Sequence, residues 1–190
     1  MTTNRILSIL IFVVGMVGGK LAYDELFAEP ETVSFEDIDW AYFDRLGVRY
    51  EAPFELAPME LDLPEYVKTY VKEMNNLHYE SKAIGFFISR AEYRPGVKPN
   101  IDGAVQGAVQ NMKSQKGITE FTYKASPIRK NSIEGRLVEG TCKVNEEDAE
   151  FVCQVFAKDL KLLQIMTMNL SFPENRAVRD RILKSVNITL

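Results

Sequence analysis

Hydrophobic and polar positions follow two different rhythms along the chain, and their order predicts an α+β fold. Apolar residues alternate with polar ones at Val48, Tyr50 and Ala52, which predicts a strand over residues 48–56. Beyond Pro64, apolar residues recur at helical spacing and predict a helix. Further strands are predicted over residues 77–81, 84–93, 119–128, 135–144, 150–158 and 160–172, and further helices over residues 101–115 and 174–186. Since most strands follow one another without a helical crossover, the sheet should be mostly antiparallel and flanked by helices.

The first 22 residues form a hydrophobic segment that predicts export. Residues 6–19 are uncharged, Arg5 precedes them, and an acidic stretch follows. This order is typical of a signal peptide or of a single membrane anchor. A run of 14 residues spans about 21 Å as a helix, which suits a signal peptide better than a bilayer core of roughly 30 Å. Lys20 could snorkel and lengthen an anchor, so both alternatives stay open. Either one predicts a cell-envelope location, membrane-anchored with the N-terminus inside or secreted after cleavage.

Residues 23–46 are predicted to be an acidic connector that contains a short helix capped by Ser34. One side of this helix would be aromatic and apolar, and it could either pack on the following domain or contact a partner. A single α+β domain is predicted over residues 47–190. The candidate partner contacts on the helix are Phe35, Ile38, Tyr42 and Phe43.

Charge along the chain argues against nucleic-acid binding. The whole chain carries 23 basic and 27 acidic residues, but residues 20–47 hold eight of the acidic ones and only two basic ones. Residues 48–190 are therefore almost neutral and show no stripe of Lys and Arg that could bind phosphates. No nucleic-acid partner is predicted.

No catalytic, metal or cofactor site is predicted. The chain has a single histidine, His78, which excludes the usual multi-histidine metal sites. His78 lies close in sequence to Glu80 and Ser81, but neighbours on a strand point to opposite faces and do not form a dyad. The acidic run Glu146-Glu147-Asp148 lacks the spacing of a calcium loop and is better interpreted as a solvated turn.

Cys142 and Cys153 are the only cysteines in the chain, and they fall on two predicted strands of one hairpin. If residues 145–150 form the turn, the two cysteines face each other at a distance that suits a disulfide. An oxidising compartment would favour the bond. The alternative is a pair of buried thiols that act as small apolar side chains.

Several short motifs resemble the PsbP-like superfamily, which includes the photosystem II extrinsic protein PsbP and the Ran-binding Mog-type domains. The similar segments are Tyr50-Glu-Ala-Pro-Phe54, the strand over residues 86–93, Asn100-Ile-Asp-Gly-Ala104 and Arg181-Ile-Leu-Lys-Ser-Val186. The resemblance covers about residues 45–190 and implies a non-catalytic accessory or binding factor without a shared active site.

Three functions are consistent with the sequence. The first is an exported or membrane-anchored accessory domain that binds an unidentified protein. The second is a hydrolase whose active site cannot be assembled from sequence. The third is a carrier of a small ligand or lipid, in which aromatic residues line a pocket. The candidate lining residues are Phe86, Tyr93, Phe121 and Tyr123.

Overall fold

The computed structural model describes residues 39–61, 63, 65–81 and 83–190. The hydrophobic segment over residues 1–22, Phe35 and Ile38 therefore lie outside the described residues. Within the described part of the chain, no helix is long and apolar enough to span a membrane.

In the described residues, ten strands and three helices follow one another in an order that confirms the α+β class. The strands are β1 (Ala41–Arg45), β2 (Val48–Ala52), β3 (Ala57–Pro58), β4 (Val71–Glu80), β5 (Ile84–Tyr93), β6 (Ile118–Lys130), β7 (Ile133–Val144), β8 (Glu147–Lys158), β9 (Lys161–Leu170) and β10 (Asn187–Ile188). The helices are α1 (Glu65–Lys68), α2 (Ile101–Ser114) and α3 (Pro173–Ser185).

The strands form two antiparallel sheets. The larger has seven strands in the order β3-β4-β5-β9-β8-β7-β6, and the smaller has three in the order β1-β2-β10. Both faces of the large sheet are apolar, because β5, β8 and β9 bury side chains alternately on either side. Helix α2 covers one face, while α3 and the small sheet cover part of the other.

Two local predictions of helix were wrong. Residues 41–45 form strand β1, because the two-residue turn at Leu46 and Gly47 folds them back onto β2 in regular antiparallel register. Tyr42 and Phe43 therefore do not share one side of a helix, since they point to opposite faces of a strand. The helix predicted after Pro64 spans only Glu65–Lys68, and Val71 already belongs to β4.

The predicted pairing of Cys142 with Cys153 was also wrong. The hairpin turns through Asn145 and Glu146 alone, both with positive φ, so Cys142 pairs with Ala149 and Cys153 with Val138. The two cysteines share a face, but their register differs by four residues, about 13 Å along the strand, whereas a disulfide needs Cα atoms within about 7 Å. Both are free, buried thiols, and burial raises the pKa of Cys142 to about 11 and that of Cys153 to about 12.

Candidate functional site

The outer face of the small sheet combines the exposed ring of Tyr42 and the half-buried ring of Trp40 with two arginines. Tyr42 on β1 lies opposite Glu51 on β2, and its side chain is 66% exposed. The guanidinium of Arg49 lies 5.2 Å from the centre of the Tyr42 ring. Since β2 buries Val48, Tyr50 and Ala52, the residues between them point outward on this face.

Helix α3 adds Arg181 to this face. The Arg181 guanidinium lies 3.8 Å from the centre of the Trp40 ring and donates a 2.6 Å hydrogen bond to Glu51 Oε1. Glu51 raises the pKa of Arg181, mainly through this hydrogen bond, so the arginine stays charged. We call Trp40, Tyr42, Arg49 and Arg181 the arginine–aromatic face.

The inner side of the small sheet anchors this face to the core. Phe43 stacks on Tyr50 with ring centres 5.4 Å apart, and Tyr50 meets Phe86 edge to face at 5.2 Å. Burial raises the pKa of Tyr50 to about 12, so its hydroxyl stays protonated. Of the predicted partner contacts, Tyr42 thus lies on the exposed face, whereas Phe43 is a packing residue.

A second concave region lies between α3 and the outer strands of the large sheet. This α3 groove has a volume of about 400 Å³, and both polar and apolar residues line it. It is lined by Thr122, Tyr123, Lys124, Glu139, Gly140, Thr141, Glu150, Phe151, Val152 and Arg179. Thr122 and Thr141 share a 2.9 Å hydrogen bond across β6 and β7, and Lys124 pairs with Glu139 at 3.4 Å.

Ion pairs close the inner end of the groove. Glu150 accepts hydrogen bonds from both Arg176 and Arg179, the latter at 2.6 Å. Arg179 also donates to Asn169 Oδ1 at 3.3 Å and pairs with Asp180 at 2.8 Å. Hydrogen bonds from the arginines, with the Arg176 contact the largest cause, lower the pKa of Glu150 to about 2. A carboxylate held in this state is a poor general acid or base near neutral pH.

The other candidate residues do not converge. Ser81 Oγ accepts a hydrogen bond from the backbone amide of Ile84 in the turn before β5, so it does not pair with His78. Phe86 and Tyr93 lie in separate apolar clusters on opposite faces of the sheet and cannot line one pocket. Within the described residues, no three His, Cys, Asp or Glu side chains are grouped so that they could hold a metal ion.

Comparison with solved structures identifies the fold. The chain is similar to the cyanobacterial PsbP (CyanoP) of Synechocystis sp. PCC 6803, with a TM-score of 0.51 and 11% identity over 86% of this chain and 99% of that one. The chain has a PsbP-like fold. No protein-family model and no curated protein matches its sequence.

Two further solved structures are similar to this PsbP-like chain at lower scores. LpqN, described as involved in cell envelope biogenesis of Mycobacterium tuberculosis, has a TM-score of 0.45 and 12% identity over 72% of this chain and 91% of that one. A protein of unknown function from Pseudomonas aeruginosa has a TM-score of 0.39 and 14% identity over 67% and 90% of the two chains.

The motifs that suggested the PsbP-like fold have structural roles. Tyr50 is buried on β2, and Phe54 stacks on Tyr79 with ring centres 3.7 Å apart. Asn100 caps α2 by accepting the amide of Gly103 at 3.0 Å. The segment that starts at Arg181 ends α3, where Ile182 is buried and Arg181 reaches the arginine–aromatic face. The sequence contained Trp40, Arg49 and Arg181, but only the chain reversal before β2 and the position of α3 bring them together.

Proposed function

We propose that this chain is a non-catalytic accessory domain of the cell envelope, exported or anchored through residues 1–22, that binds another protein through the arginine–aromatic face. The observation that carries the proposal is the composition and exposure of that face. Trp, Tyr and Arg are the residue types that dominate binding energy in protein interfaces. Here Arg49 pairs with the exposed Tyr42 ring on the small sheet, and Arg181 of α3 pairs with the half-buried Trp40 ring just before β1.

The geometry of the face favours binding because its side chains are already held in place before a partner binds. Arg181 is held between Trp40 and Glu51, and Tyr42 is part of a strand that is fixed by five regular pairs with β2. Side chains that are already positioned lose less conformational entropy when a partner binds. Trp40 and Tyr42 lie at the end of the predicted connector over residues 23–46, so a membrane anchor would hold the face near the bilayer.

The α3 groove supports a structural role rather than catalysis. Its arginines already pair with Glu150 and Asp180, and its carboxylates are paired as well. The two thiols of the chain are buried and have raised pKa values, so they are weak nucleophiles. These observations favour an accessory role over a hydrolase.

Site-specific photo-crosslinking tests the binding proposal. A photoreactive amino acid is placed at Tyr42 in the full chain and expressed in its native cells, and the control places it at Tyr123, which is also exposed. We expect a discrete protein adduct from position 42 that is absent from position 123 and is lost when Arg181→Ala is added. Identical adducts from both positions, or none from position 42, would contradict the proposal.

A topology reporter tests the proposed location. An alkaline phosphatase domain fused after residue 190 should be active if the domain is outside the cytoplasm. Deleting residues 1–22 should abolish that activity, and an equally active truncated fusion would refute export through this segment.

A further inference from the structure

As far as the structure describes the chain, the two sheets have four edge strands, and three of them are poor templates for a further strand. β3 and β10 contain only two residues each, and β3 ends in Pro58. β6 is long, but it carries a bulge between Thr119 and Thr122, Pro127 within the strand, and several basic side chains. Bulges, prolines and charges are the features that protect sheet edges from pairing with other chains.

The fourth edge, β1, carries the charged residues Asp44 and Arg45, but it has neither a bulge nor a proline. It pairs with β2 in unbroken register over Ala41–Arg45 and contains no proline or glycine. Within the described residues, β2 is the only strand that pairs with it. One long side of β1 is therefore a regular backbone edge without a neighbouring strand in the described part of the chain; Arg45 Nη1 donates to the Asp44 carbonyl at 3.1 Å.

The direction of the backbone groups on β1 follows from its turn. In a two-residue hairpin the residues flanking the turn form a hydrogen-bonded pair, here Arg45 and Val48, and the pattern alternates from there. Phe43 consequently bonds to β2, while Tyr42 and Asp44 direct their N–H and C=O groups away from it. The register partner of Tyr42 on β2 shows the same pattern. The Glu51 amide donates to Ser185 Oγ at 2.8 Å and so points away from β1, as expected for a pair that is not hydrogen-bonded.

The side chains of β1 define what an added strand should carry. Phe43 lies on the inner side, half-buried beside Tyr50, so an added strand would extend the core with an apolar side chain there. Asp44 is exposed on the outer side, where a basic side chain would match it across the strands. Tyr42 would face a β-branched or aromatic residue on the same outer side.

We infer that the partner bound at the arginine–aromatic face supplies an extended strand that pairs with the free edge of β1. This strand alternates apolar residues, which face inward, with a lysine or arginine opposite Asp44. The inference rests on the proposed function, because it specifies how the partner engages the same site. Main-chain hydrogen bonds provide affinity in this mode of recognition, and alternate side chains provide specificity.

The test uses a blocked peptide as the probe, acetyl-Lys-Val-Thr-Val-Lys-Val-Thr-amide, titrated into the full chain. Amide hydrogen exchange is measured residue by residue. We expect at least a tenfold slowing of exchange at the Tyr42 and Asp44 amides when the peptide is saturating. The control peptide has the same side chains with methylated nitrogens at alternate residues, so it cannot form the ladder, and it should not slow exchange.

Two variants separate the backbone from the side chain. Asp44→Pro removes an N–H from the free edge and should weaken peptide binding at least tenfold. Asp44→Ala keeps that N–H, removes the carboxylate and should weaken binding by only about threefold. The exchange of the β2 amides in the absence of peptide checks that each variant keeps the small sheet.

Three results would overturn the inference. One is unchanged exchange at Tyr42 and Asp44 with saturating peptide. Another is equal binding by the methylated peptide. The third is strong protection of both amides in the free full chain, because another segment of the chain would then occupy the edge.

Crosslinking at Tyr42 without protection of these amides would support the proposed function but refute strand pairing. Protection without crosslinking would support strand pairing and contradict the proposed function.

Discussion

Two arginines that lie two residues apart on α3 are used in opposite ways. The side chain of Arg179 is 9% exposed and is held by Glu150, Asn169 and Asp180. The side chain of Arg181 is 50% exposed and lies on the Trp40 ring beside Glu51. The same residue type therefore stabilises the fold on one side of the helix and presents an exposed cation on the other.

The comparison shows that the number of arginines in a region does not identify its function. A buried arginine whose donors are taken by carboxylates has few groups left for a partner, and removing its carboxylate would leave an unpaired buried charge. Arg181 also pairs with a carboxylate, Glu51, but its side chain is half exposed, so its guanidinium can still contact a partner. We therefore expect mutations in the α3 groove to change stability and mutations on the arginine–aromatic face to change binding.

Glu150→Gln should have the largest effect. It removes one of the two carboxylates that pair with the buried Arg179 and leaves only the more exposed Asp180, which should lower the free energy of unfolding by about 2–4 kcal/mol. Urea unfolding followed by circular dichroism measures this change. The matched control is Glu134→Gln, whose pair with Arg129 is exposed on both sides and should matter little. Equal stability of the two variants would show that the Arg179 pair is not structural.

Gly140→Ala tests the floor of the groove and should have the next largest effect. A Cβ at Gly140 would overlap the carbonyl oxygen of Thr122 and lie 2.6 Å from Phe151 Cε1. The strands or the ring must move, so we expect a loss of about 2 kcal/mol in urea unfolding. Gly85→Ala is the control, since its nearest neighbours would be 3.9 Å away. A loss from Gly85→Ala as large as that from Gly140→Ala would contradict close packing as the cause.

Acid should weaken the ion pairs that Glu150 makes in the groove. Glu150 has a pKa of about 2 in the folded protein, below its usual value near 4.5, so the pairs with the arginines stabilise the fold above pH 4.5. That stabilisation should be lost progressively as the pH falls from about 4.5 towards 2. In this range the Glu150 carboxylate takes up a proton in the unfolded state but not in the folded state, so acid favours unfolding. Thermal unfolding of the wild type and Glu150→Gln across this range measures the effect, and the variant should show a smaller fall. Parallel curves would contradict the assignment.

Long elements with one clear period could be predicted from the sequence. β5 spans the predicted residues 84–93, and α2 ends one residue before the predicted end at residue 115. Asn100 provides the cap and the apolar stripe provides the packing of α2, so local and tertiary preferences agree. The order of these elements along the chain was enough to predict the α+β class and the antiparallel sheet.

The errors occur where a turn, rather than a period, decides the structure. The apolar spacing before residue 46 suits a helix, but positive φ at Leu46 and Gly47 reverses the chain and makes a strand. A similar two-residue turn at Asn145 and Glu146 moved the cysteines out of register. The arginine–aromatic face depends on the first of these turns and on the end of α3, which is more than 100 residues away in sequence. No local pattern could have identified that face.

Arg181→Ala should have the smallest effect on stability and the clearest effect on binding. Its contacts with Trp40 and Glu51 are partly solvated, so the change in Tm should stay below about 3 °C. The loss of the cation from the Trp40 ring should nevertheless reduce the Tyr42 photo-adduct at least fivefold.

Arg176→Ala is a matched control on the same helix, because Arg176 pairs with Glu150 at the groove and lies outside the face. It should leave the adduct unchanged and lower Tm more than Arg181→Ala does. If both variants lose the adduct in proportion to their loss of stability, the two arginine clusters do not differ in function. Arg181 would then have a structural role, and the binding role proposed for it would be refuted.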